Sequence, residues 1–327
     1  MPSYSVVQLP SRPETWDERI RMFSAKTLFH ESVWLDFMLA TRVGTGVDYF
    51  EILRNRTTAG YFCALRIEKL FVSQYRNAWF GTTVFQGPVI DVGKEDQFEL
   101  VSALMSASMD RGVDVLQMRN DWLDRSAMQR LGFNVTTGKN HVCPLQDETS
   151  AWNAMRGTCR TRIRKSEKEG LVAEATTDVA IAYDFHSFYR QTLETKGLVP
   201  AHDAKTYRTL MSLIAPADRL FAVAVKDRDK TIAAGFYAYD ERAMYFLDGA
   251  SDPSLVHLCP NELMHWTAMK TAIRRGIPAF NIGGGPVPSR FSEEFGGESV
   301  PYHEFSRALN PLIRPVLALY DGLRGRA

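Results

Sequence analysis

The stretch Ala279-Phe280-Asn281-Ile282-Gly283-Gly284-Gly285-Pro286 decides how this chain is interpreted, and it continues through Arg290-Phe291-Ser292 to Phe295-Gly296-Gly297. An apolar strand is predicted for Ala279–Ile282, and three consecutive glycines and a proline interrupt it. Glycine allows positive φ and lets another molecule approach the main chain closely. The stretch is therefore either an ordinary strand-to-helix turn or a place where a substrate meets the backbone.

An echo of this stretch occurs in the first half of the chain. Asp110-Arg111-Gly112-Val113 resembles Arg274-Arg275-Gly276-Ile277, and the same offset carries Leu131-Gly132-Phe133 onto Phe295-Gly296-Gly297. In both halves the predicted order is helix, glycine stop, strand, short helix and strand. Duplication of one α/β unit explains this order best.

The predicted fold class is α/β, with two tandem lobes whose mixed, partly antiparallel sheets are flanked by helices. In the second half, Arg219–Val225, Thr231–Tyr239 and Ala243–Gly249 are apolar runs separated by charged turns, which is typical of an antiparallel meander. We predict an N-terminal lobe over 1–146 and a C-terminal lobe over 147–327.

Composition excludes several classes of protein. A chain of 327 residues with 45% hydrophobic and 24% charged residues is ordinary for a soluble globular protein. The net charge of +1 gives no overall attraction to nucleic acid or anionic membrane, so such a partner needs a local patch. The four cysteines form no CxxC pair, which predicts no metal site and a reducing compartment. No window approaches the roughly 18 apolar residues of a membrane span, so a cytoplasmic location is expected.

Several sequence marks together resemble a known family. Gln129-Arg130-Leu131-Gly132-Phe133 resembles the late helix-to-strand corner of the GNAT acyltransferase fold. The second half adds the basic helix Arg160–Gly170, the run Phe188–Gly197, the segment Tyr245–Ser251 and the glycine-rich stretch already quoted. Two such lobes in tandem resemble the FemA/FemB/FemX family, the FemAB-like acyl- and aminoacyltransferases of the GNAT superfamily.

The resemblance implies an enzyme that forms an amide bond on an amino group of a cell-wall, polysaccharide or related precursor, as in peptidoglycan or exopolysaccharide biosynthesis. Such a reaction needs positioning and a general base but no covalent enzyme intermediate. Consistent with this, the sequence has no G-x-S-x-G elbow. Two alternatives stay open: an acyl-CoA-dependent GNAT N-acyltransferase, and a non-catalytic binding protein derived from this fold.

The resemblance implies no tightly bound cofactor and a donor that is either aminoacyl-tRNA or acyl-CoA. GNAT enzymes hold the CoA pyrophosphate on a Q/R-x-x-G-x-G/A turn that opens a helix. Neither half contains this turn, and Pro286 removes a donor N–H from the glycine-rich stretch. This weakens the CoA alternative.

Three residues are the candidate catalytic groups: Asp248, Tyr245 and Arg290. Asp248 lies between Leu247 and Gly249, where an unpaired carboxylate would be costly to bury. It is either an ordinary strand-end aspartate or a group that positions or deprotonates the amine. Arg290 could supply positive charge near the transferred carbonyl.

Further residues are candidate substrate contacts. Arg160, Arg164 and Lys168 share one helix face, which is either a solvated surface or a phosphate or tRNA contact. The expected partners are a small-molecule or lipid-linked glycan or peptide acceptor and tRNA. The C-terminal helix with Arg314, Arg324 and Arg326 is either a packing helix or a peripheral membrane contact. The predicted substrate-binding residues are His202, Tyr207, Tyr237, Asn281, Gly284 and Phe291.

Three positions depart from the pattern of the family. Ser292 stands where the family commonly has lysine, Asn281 where it has aspartate, and His202 where it has arginine. These departures concern the substrate more than the fold. The first two also motivate the non-catalytic alternative.

Overall fold

The computed structural model describes residues 3–41, 45–69, 71–76, 81, 83–195, 197–285 and 290–313. The predicted C-terminal helix and Pro286 lie outside these residues. The chain forms two compact units. Unit 1 comprises Met1–Trp79, Phe85–Gly138 and Tyr302–Ala327, and unit 2 comprises Phe80–Val84 and Lys139–Pro301.

Unit 1 is built from a sheet in the order β1-β2-β3-β4-β6-β13, with β5 paired to β3. Only β4 and β6 are parallel neighbours in this order. Its elements are β1 (Tyr4–Leu9), α1 (Trp16–Arg21), α2 (Ser32–Thr41), β2 (Thr45–Arg54), β3 (Thr57–Lys69), β4 (Val72–Tyr75), β5 (Val89–Ile90), α3 (Gln97–Asp110), β6 (Val115–Asn120), α4 (Arg125–Arg130) and the end of β13 (Glu298–Ala308).

Unit 2 repeats this plan with the sheet order β7-β12-β11-β10-β9-β8, in which only β11 and β12 are parallel. Its elements are the end of β7 (Asn134–Pro144), α5 (Glu148–Ala154), α6 (Gly157–Lys168), β8 (Leu171–Thr176), α7 (Ile181–Glu194), α8 (Ala204–Ile214), β9 (Leu220–Asp227), β10 (Lys230–Tyr239), β11 (Met244–Ser251), α9 (Pro260–Arg274), β12 (Ala279–Gly285) and α10 (Arg290–Glu293).

The predicted mixed α/β class with two related lobes is confirmed. In unit 1, β1 is followed by α1 and α2, then by a meander, and then by α3, which leads into the parallel strand β6. In unit 2, β8 is followed in the same order by α7 and α8, a meander, and α9, which leads into the parallel strand β12. The last strand of each half pairs in the unit formed mainly by the other half: β13 with β6, and β7 with β12. Whether the predicted lobes 1–146 and 147–327 act as separate domains stays a prediction.

The two glycine stops that revealed the repeat have the same geometry. After α3, the N–H of Val113 donates to the carbonyl of Ser108 over 3.0 Å, and Gly112 has φ +67°. After α9, the N–H of Ile277 donates to the carbonyl of Ala272 over 3.0 Å, and Gly276 has φ +71°. Both helices therefore end in the same left-handed glycine cap, which satisfies otherwise unpaired carbonyls.

The glycine-rich stretch differs from its prediction. The strand does not end at Ile282, because Gly283, Gly284 and Gly285 stay in β12 and pair with His141, Asn140 and Lys139 of β7. A Cβ on Gly284 would lie 2.0 Å from the carbonyl oxygen of Lys139. The close approach of the β7 backbone therefore requires a glycine here.

Within the described part of the chain, none of the helices has the length and apolarity needed to cross a membrane. The core of unit 2 is packed between the sheet and α5, α6 and α9. It includes Tyr237, Leu263, Met269, Phe280 and Phe295, all of them buried. This packing fixes β10, β11 and β12, which carry the candidate site.

Gly296→Ala is expected to destabilise the protein more than Gly276→Ala. Both glycines have positive φ, which costs a non-glycine residue about 1–2 kcal/mol. A Cβ on Gly296 would also lie 2.5 Å from the carbonyl oxygen of Ala154, whereas one on Gly276 meets nothing within 4 Å. Urea unfolding should therefore show a loss larger by at least about 1 kcal/mol for Gly296→Ala. Equal losses would show that the close approach of Ala154 to Gly296 does not affect stability.

Candidate active site

The central feature of unit 2 is the separation of two parallel strands. In the described residues, β11 and β12 pair only at Met244–Phe280 and Tyr245–Asn281, although both strands continue beyond. Backbone groups on facing edges of separated strands can bind an extended ligand. One of them, the carbonyl of Phe246, accepts a hydrogen bond from the Thr83 hydroxyl over 2.9 Å. The opening is therefore partly occupied by the chain itself.

Asp248 lies on β11 just beyond this separation. The Tyr207 hydroxyl donates to its Oδ2 over 2.7 Å, and the N–H of Gly249 donates to its Oδ1 over 2.9 Å. Tyr207 comes from α8 and is fully buried. The carboxylate is thus held in one orientation by two donors.

Burial raises the pKa of Asp248 to about 6, and the two hydrogen bonds counter only part of this rise. Burial and the negative charge of Asp248 raise the pKa of the Tyr207 phenol well above its usual value. Tyr207 therefore stays a neutral donor while Asp248 titrates near neutrality. A carboxylate with this pKa is suited to accept a proton at physiological pH.

Aromatic rings from α7 and α8 cover the face of the sheet that carries Asp248. The Tyr207 ring centroid lies 4.5 Å from that of Phe185 and 5.3 Å from that of Phe236. The His202 ring lies 6.1 Å from Tyr207. Of the predicted residues, the structure therefore brings Asp248, Tyr207 and His202 together.

Tyr237 belongs to the opposite face of the sheet. Its hydroxyl lies 2.9 Å from Nδ1 of His265, a buried residue of α9 that sequence reasoning missed. Burial lowers the pKa of His265 to about 3, so its ring is neutral. The predicted residue Phe291 lies on this side too, with its ring 5.5 Å from His265. Tyr237 and Phe291 therefore do not join Asp248.

Tyr245 and Asn281 make local hydrogen bonds. The Tyr245 hydroxyl donates to Oδ2 of Asp240 over 3.1 Å, and Asp240 also caps the turn between β10 and β11. Oδ1 of Asn281 accepts from the N–H of Gly283 over 3.0 Å, at the irregularity in the pairing of β12 with β7. Both side chains thus stabilise the backbone of the two strands, Tyr245 through the turn before β11 and Asn281 within β12. Arg290 is the first residue of α10, and its side chain lies outside the described part of the structure.

Comparison with known proteins identifies the type of fold. Residues 153–291 match the family model described as the acetyltransferase (GNAT) domain. FemX is similar over 94% of this chain and 99% of its own, with a TM-score of 0.72 and 14% identity. The chain has a tandem GNAT fold of the FemX type.

Two further structures share this FemX-type fold. A tandem GNAT protein from the clavulanic acid biosynthesis pathway has a TM-score of 0.57 and 10% identity, covering 94% of this chain and 99% of its own. L-PGS from Bacillus licheniformis has a TM-score of 0.55 and 10% identity, covering 96% of both chains. No curated protein matches the sequence significantly. The predicted family resemblance is confirmed, and at these identities the structures establish the fold.

The segment before α9 in the GNAT domain has no glycine-rich turn. A 3-10 turn over Pro253–Leu258 leads into Cys259, which has φ +59°, and α9 then begins at Pro260. The first turn of α9 carries the buried carboxyl group of Glu262, whose pKa is raised by burial. A buried acid in this place does not favour a second anionic group.

The basic helix α6 has two different sides. On one side, Arg162 contacts Glu262 over 3.4 Å and Glu294 over 2.8 Å, and Lys165 Nζ donates to the carbonyl of His257 over 2.7 Å. These contacts attach α6 to the segment that opens α9. Part of this basic run is therefore structural.

The other side of α6 carries the predicted phosphate contacts Arg160, Arg164 and Lys168. Arg164 and Lys168 are exposed and Arg160 is half-buried. The Arg164 guanidinium lies 5.2 Å from the centre of the Trp152 ring. The structure therefore leaves this side available to a polyanion. Among the described residues, no group of three His, Cys, Asp or Glu side chains could hold a metal ion.

Asp248→Asn is expected to stabilise the protein at neutral pH. A carboxyl group whose pKa is raised on folding favours the folded state at low pH, and this contribution is lost as pH rises from about 4 to about 6. At pH near 7 the variant should exceed the wild type by up to about 3 kcal/mol in the free energy of unfolding. Urea unfolding at several pH values measures the difference, which should shrink toward about pH 4. A loss of stability at neutral pH would contradict the raised pKa.

Proposed function

We propose that this protein is an acyl- or aminoacyltransferase that forms an amide on an amino group, with the reacting groups in unit 2. One observation carries the proposal. Asp248, with its pKa raised to about 6, is fixed by Tyr207 next to the point where β11 and β12 separate. The GNAT domain match over residues 153–291 supports the same reaction class.

The chemistry follows from the protonation state of the acceptor. An amine reaches the site as an ammonium ion and must lose a proton before it can attack. Asp248 accepts this proton, and the nitrogen then attacks the carbonyl carbon of the donor. The new C–N bond forms while the bond to the leaving oxygen or sulfur breaks, and the leaving group takes the second proton from the nitrogen. Positioning and this proton transfer suffice without a covalent enzyme intermediate.

The acceptor lies on the side of α7 and α8, where His202 and Tyr189 flank Tyr207. Burial and the charge of Asp248 raise the pKa of Tyr189, and its ring lies 6.2 Å from that of Tyr207. Aromatic faces and an imidazole suit a sugar or peptide that carries the amine. Together with the FemX-like fold, this favours a cytoplasmic cell-wall or polysaccharide precursor, free or lipid-linked, as the acceptor.

Asp248→Asn is expected to lower kcat by about 10²- to 10⁴-fold, because the amide cannot accept the proton. In the wild type, kcat/KM should rise about tenfold per pH unit up to about 6 and then level off. The test is a pH–rate series of amide formation, with Asp229→Asn in the exposed β9–β10 turn as the matched control. Unchanged turnover in Asp248→Asn would remove the base, and no turnover in the wild type would favour the non-catalytic alternative.

The donor that fits α6 best is an aminoacyl-tRNA. The side formed by Arg160, Arg164 and Lys168 presents three cations. Arg162 and Lys165 are instead bound to Glu294 and to the carbonyl of His257. Acyl-CoA is the alternative donor, and it is less well supported because a buried acid and the attached α6 occupy the start of α9. A polyanion binds such a face through phosphate contacts.

Replacing Arg160, Arg164 and Lys168 together with glutamate should weaken tRNA binding about tenfold or more at moderate salt and flatten its salt dependence. Fluorescence anisotropy with labelled tRNA at several salt concentrations measures both quantities. The control triple Arg21→Glu, Lys94→Glu and Lys230→Glu makes the same charge change at exposed positions on other elements. Equal weakening by both triples would show that net charge, and not this face, governs binding.

A further inference from the structure

His141 of β7 is a buried histidine with an unused nitrogen. Its side chain is nine-tenths or more buried, at 4% residue exposure, and within the described structure its Nδ1 has no hydrogen-bond partner. Buried polar atoms of this kind are rare, because leaving one unpaired costs free energy. A ligand that supplies the missing hydrogen would remove this cost.

A carboxylate lies near the other nitrogen of the His141 ring. Oε1 of Glu293 in α10 lies 4.0 Å from Nε2 of His141, and Oε2 of Glu293 pairs with Arg156 over 3.3 Å. The negative charge beside Nε2 favours the tautomer with its proton there. Nδ1 then keeps its lone pair and can only accept a hydrogen bond.

The position of His141 relates it to the separated strands. Its strand partner is Gly283. This glycine lies two residues after Asn281, the last residue of β12 that pairs with β11. Gly283 and Gly284 give β12 no side chain here. Adjacent strands lie about 4.8 Å apart, so one bare strand separates His141 from the opening.

His141 lies on the face of the sheet opposite Asp248. Side chains alternate along a strand, so His141 shares a face with Cys143, which belongs to the core that contains Tyr237 and α9. Asp248 contacts Tyr207 on the α7–α8 side. Since the acceptor amine approaches from the side of Asp248, the face of His141 is left for the donor.

We propose that Nδ1 of His141 accepts a hydrogen bond from the α-amino group of an aminoacyl donor. The inference rests on the proposed transferase function and narrows its donor to an acyl group that carries an amine near the carbonyl. An unpaired acceptor at this place favours an acyl group that carries N–H donors over a plain acyl chain.

The experiment uses two unreactive mimics of a charged tRNA end, 3′-deoxyadenosine with an alanylamido group at C3′ and the same nucleoside with a propionylamido group. They differ only in the α-amine, and NMR titration of the full-length protein gives both dissociation constants. The wild type should bind the alanyl compound about 3- to 10-fold more tightly. Equal binding of the two compounds would overturn the proposal.

Two variants assign any preference to one nitrogen of the ring. His141→Asn keeps an acceptor oxygen near the position of Nδ1 and should retain the preference. His141→Gln reaches the position of Nε2 instead and should lose it. The opposite order, or equal behaviour of the two variants, would show that His141 acts through Glu293 or through packing, and would overturn the proposal.

A second measurement separates this inference from the proposed function. In protein labelled with ¹⁵N-histidine, the neutral His141 ring should carry its proton on Nε2 and none on Nδ1, with the signal assigned by its loss in His141→Gln. A protonated Nδ1 overturns the inference whatever the activity. If neither nucleoside binds the wild type, the aminoacyl donor fails, and His141 is not its binding residue.

Discussion

The separation of β11 from β12 after two ladder pairs is the constraint on which the candidate site depends. Hydrogen bonds hold the two strands together only as far as Tyr245 and Asn281. Beyond that point β11 stays paired with β10 and Asp248 contacts Tyr207 of α8, while β12 stays paired with β7 through three glycines. At this opening the Phe246 carbonyl accepts a hydrogen bond from Thr83, and Asp248 lies just beyond it on the α7–α8 face. In the proposed reaction, the acceptor and the donor are assigned to different faces of the sheet at this opening.

The two faces of unit 2 differ in their electrostatic character. On the α7–α8 face, a carboxylate with a raised pKa is held by a phenol that stays neutral. On the α9 face, His265 is kept neutral by burial among the rings of Phe246, Phe280, Phe291 and Phe295. The proposed base therefore lies on the α7–α8 face, whereas the surroundings of His265 on the α9 face are apolar. The burial that raises the pKa of Asp248 also makes its charged form unfavourable for folding.

Gly284 of β12 is required by a close backbone approach within the protein itself. Three consecutive glycines mark close backbone approach, and the structure shows that Gly284 is approached by the main chain of Lys139. The approaching molecule is thus the protein itself, through β7. The resulting strand, which carries no side chains at its three glycines, borders the opening and lies between it and His141. Residue type alone could not distinguish these two uses of glycine, because both require the absence of a Cβ.

The sequence by itself determined the class of the fold, the duplication and the identity of Asp248 as a candidate, because periodicity and glycine caps are local signals. It could not show that Tyr237 lies on the opposite face from Asp248, because an irregularity in the pairing of β10 with β11 decides which way its side chain points. The placement of Phe291 beside His265 depends on how α10 packs. The sequence did not indicate β1, a short edge strand that is held in the sheet by its pairing with β2. His141 and Glu293 are 152 positions apart in the numbering and meet only across β7 and α10. Such long-range contacts, and the burial that shifts a pKa, exist only once the tertiary structure has formed.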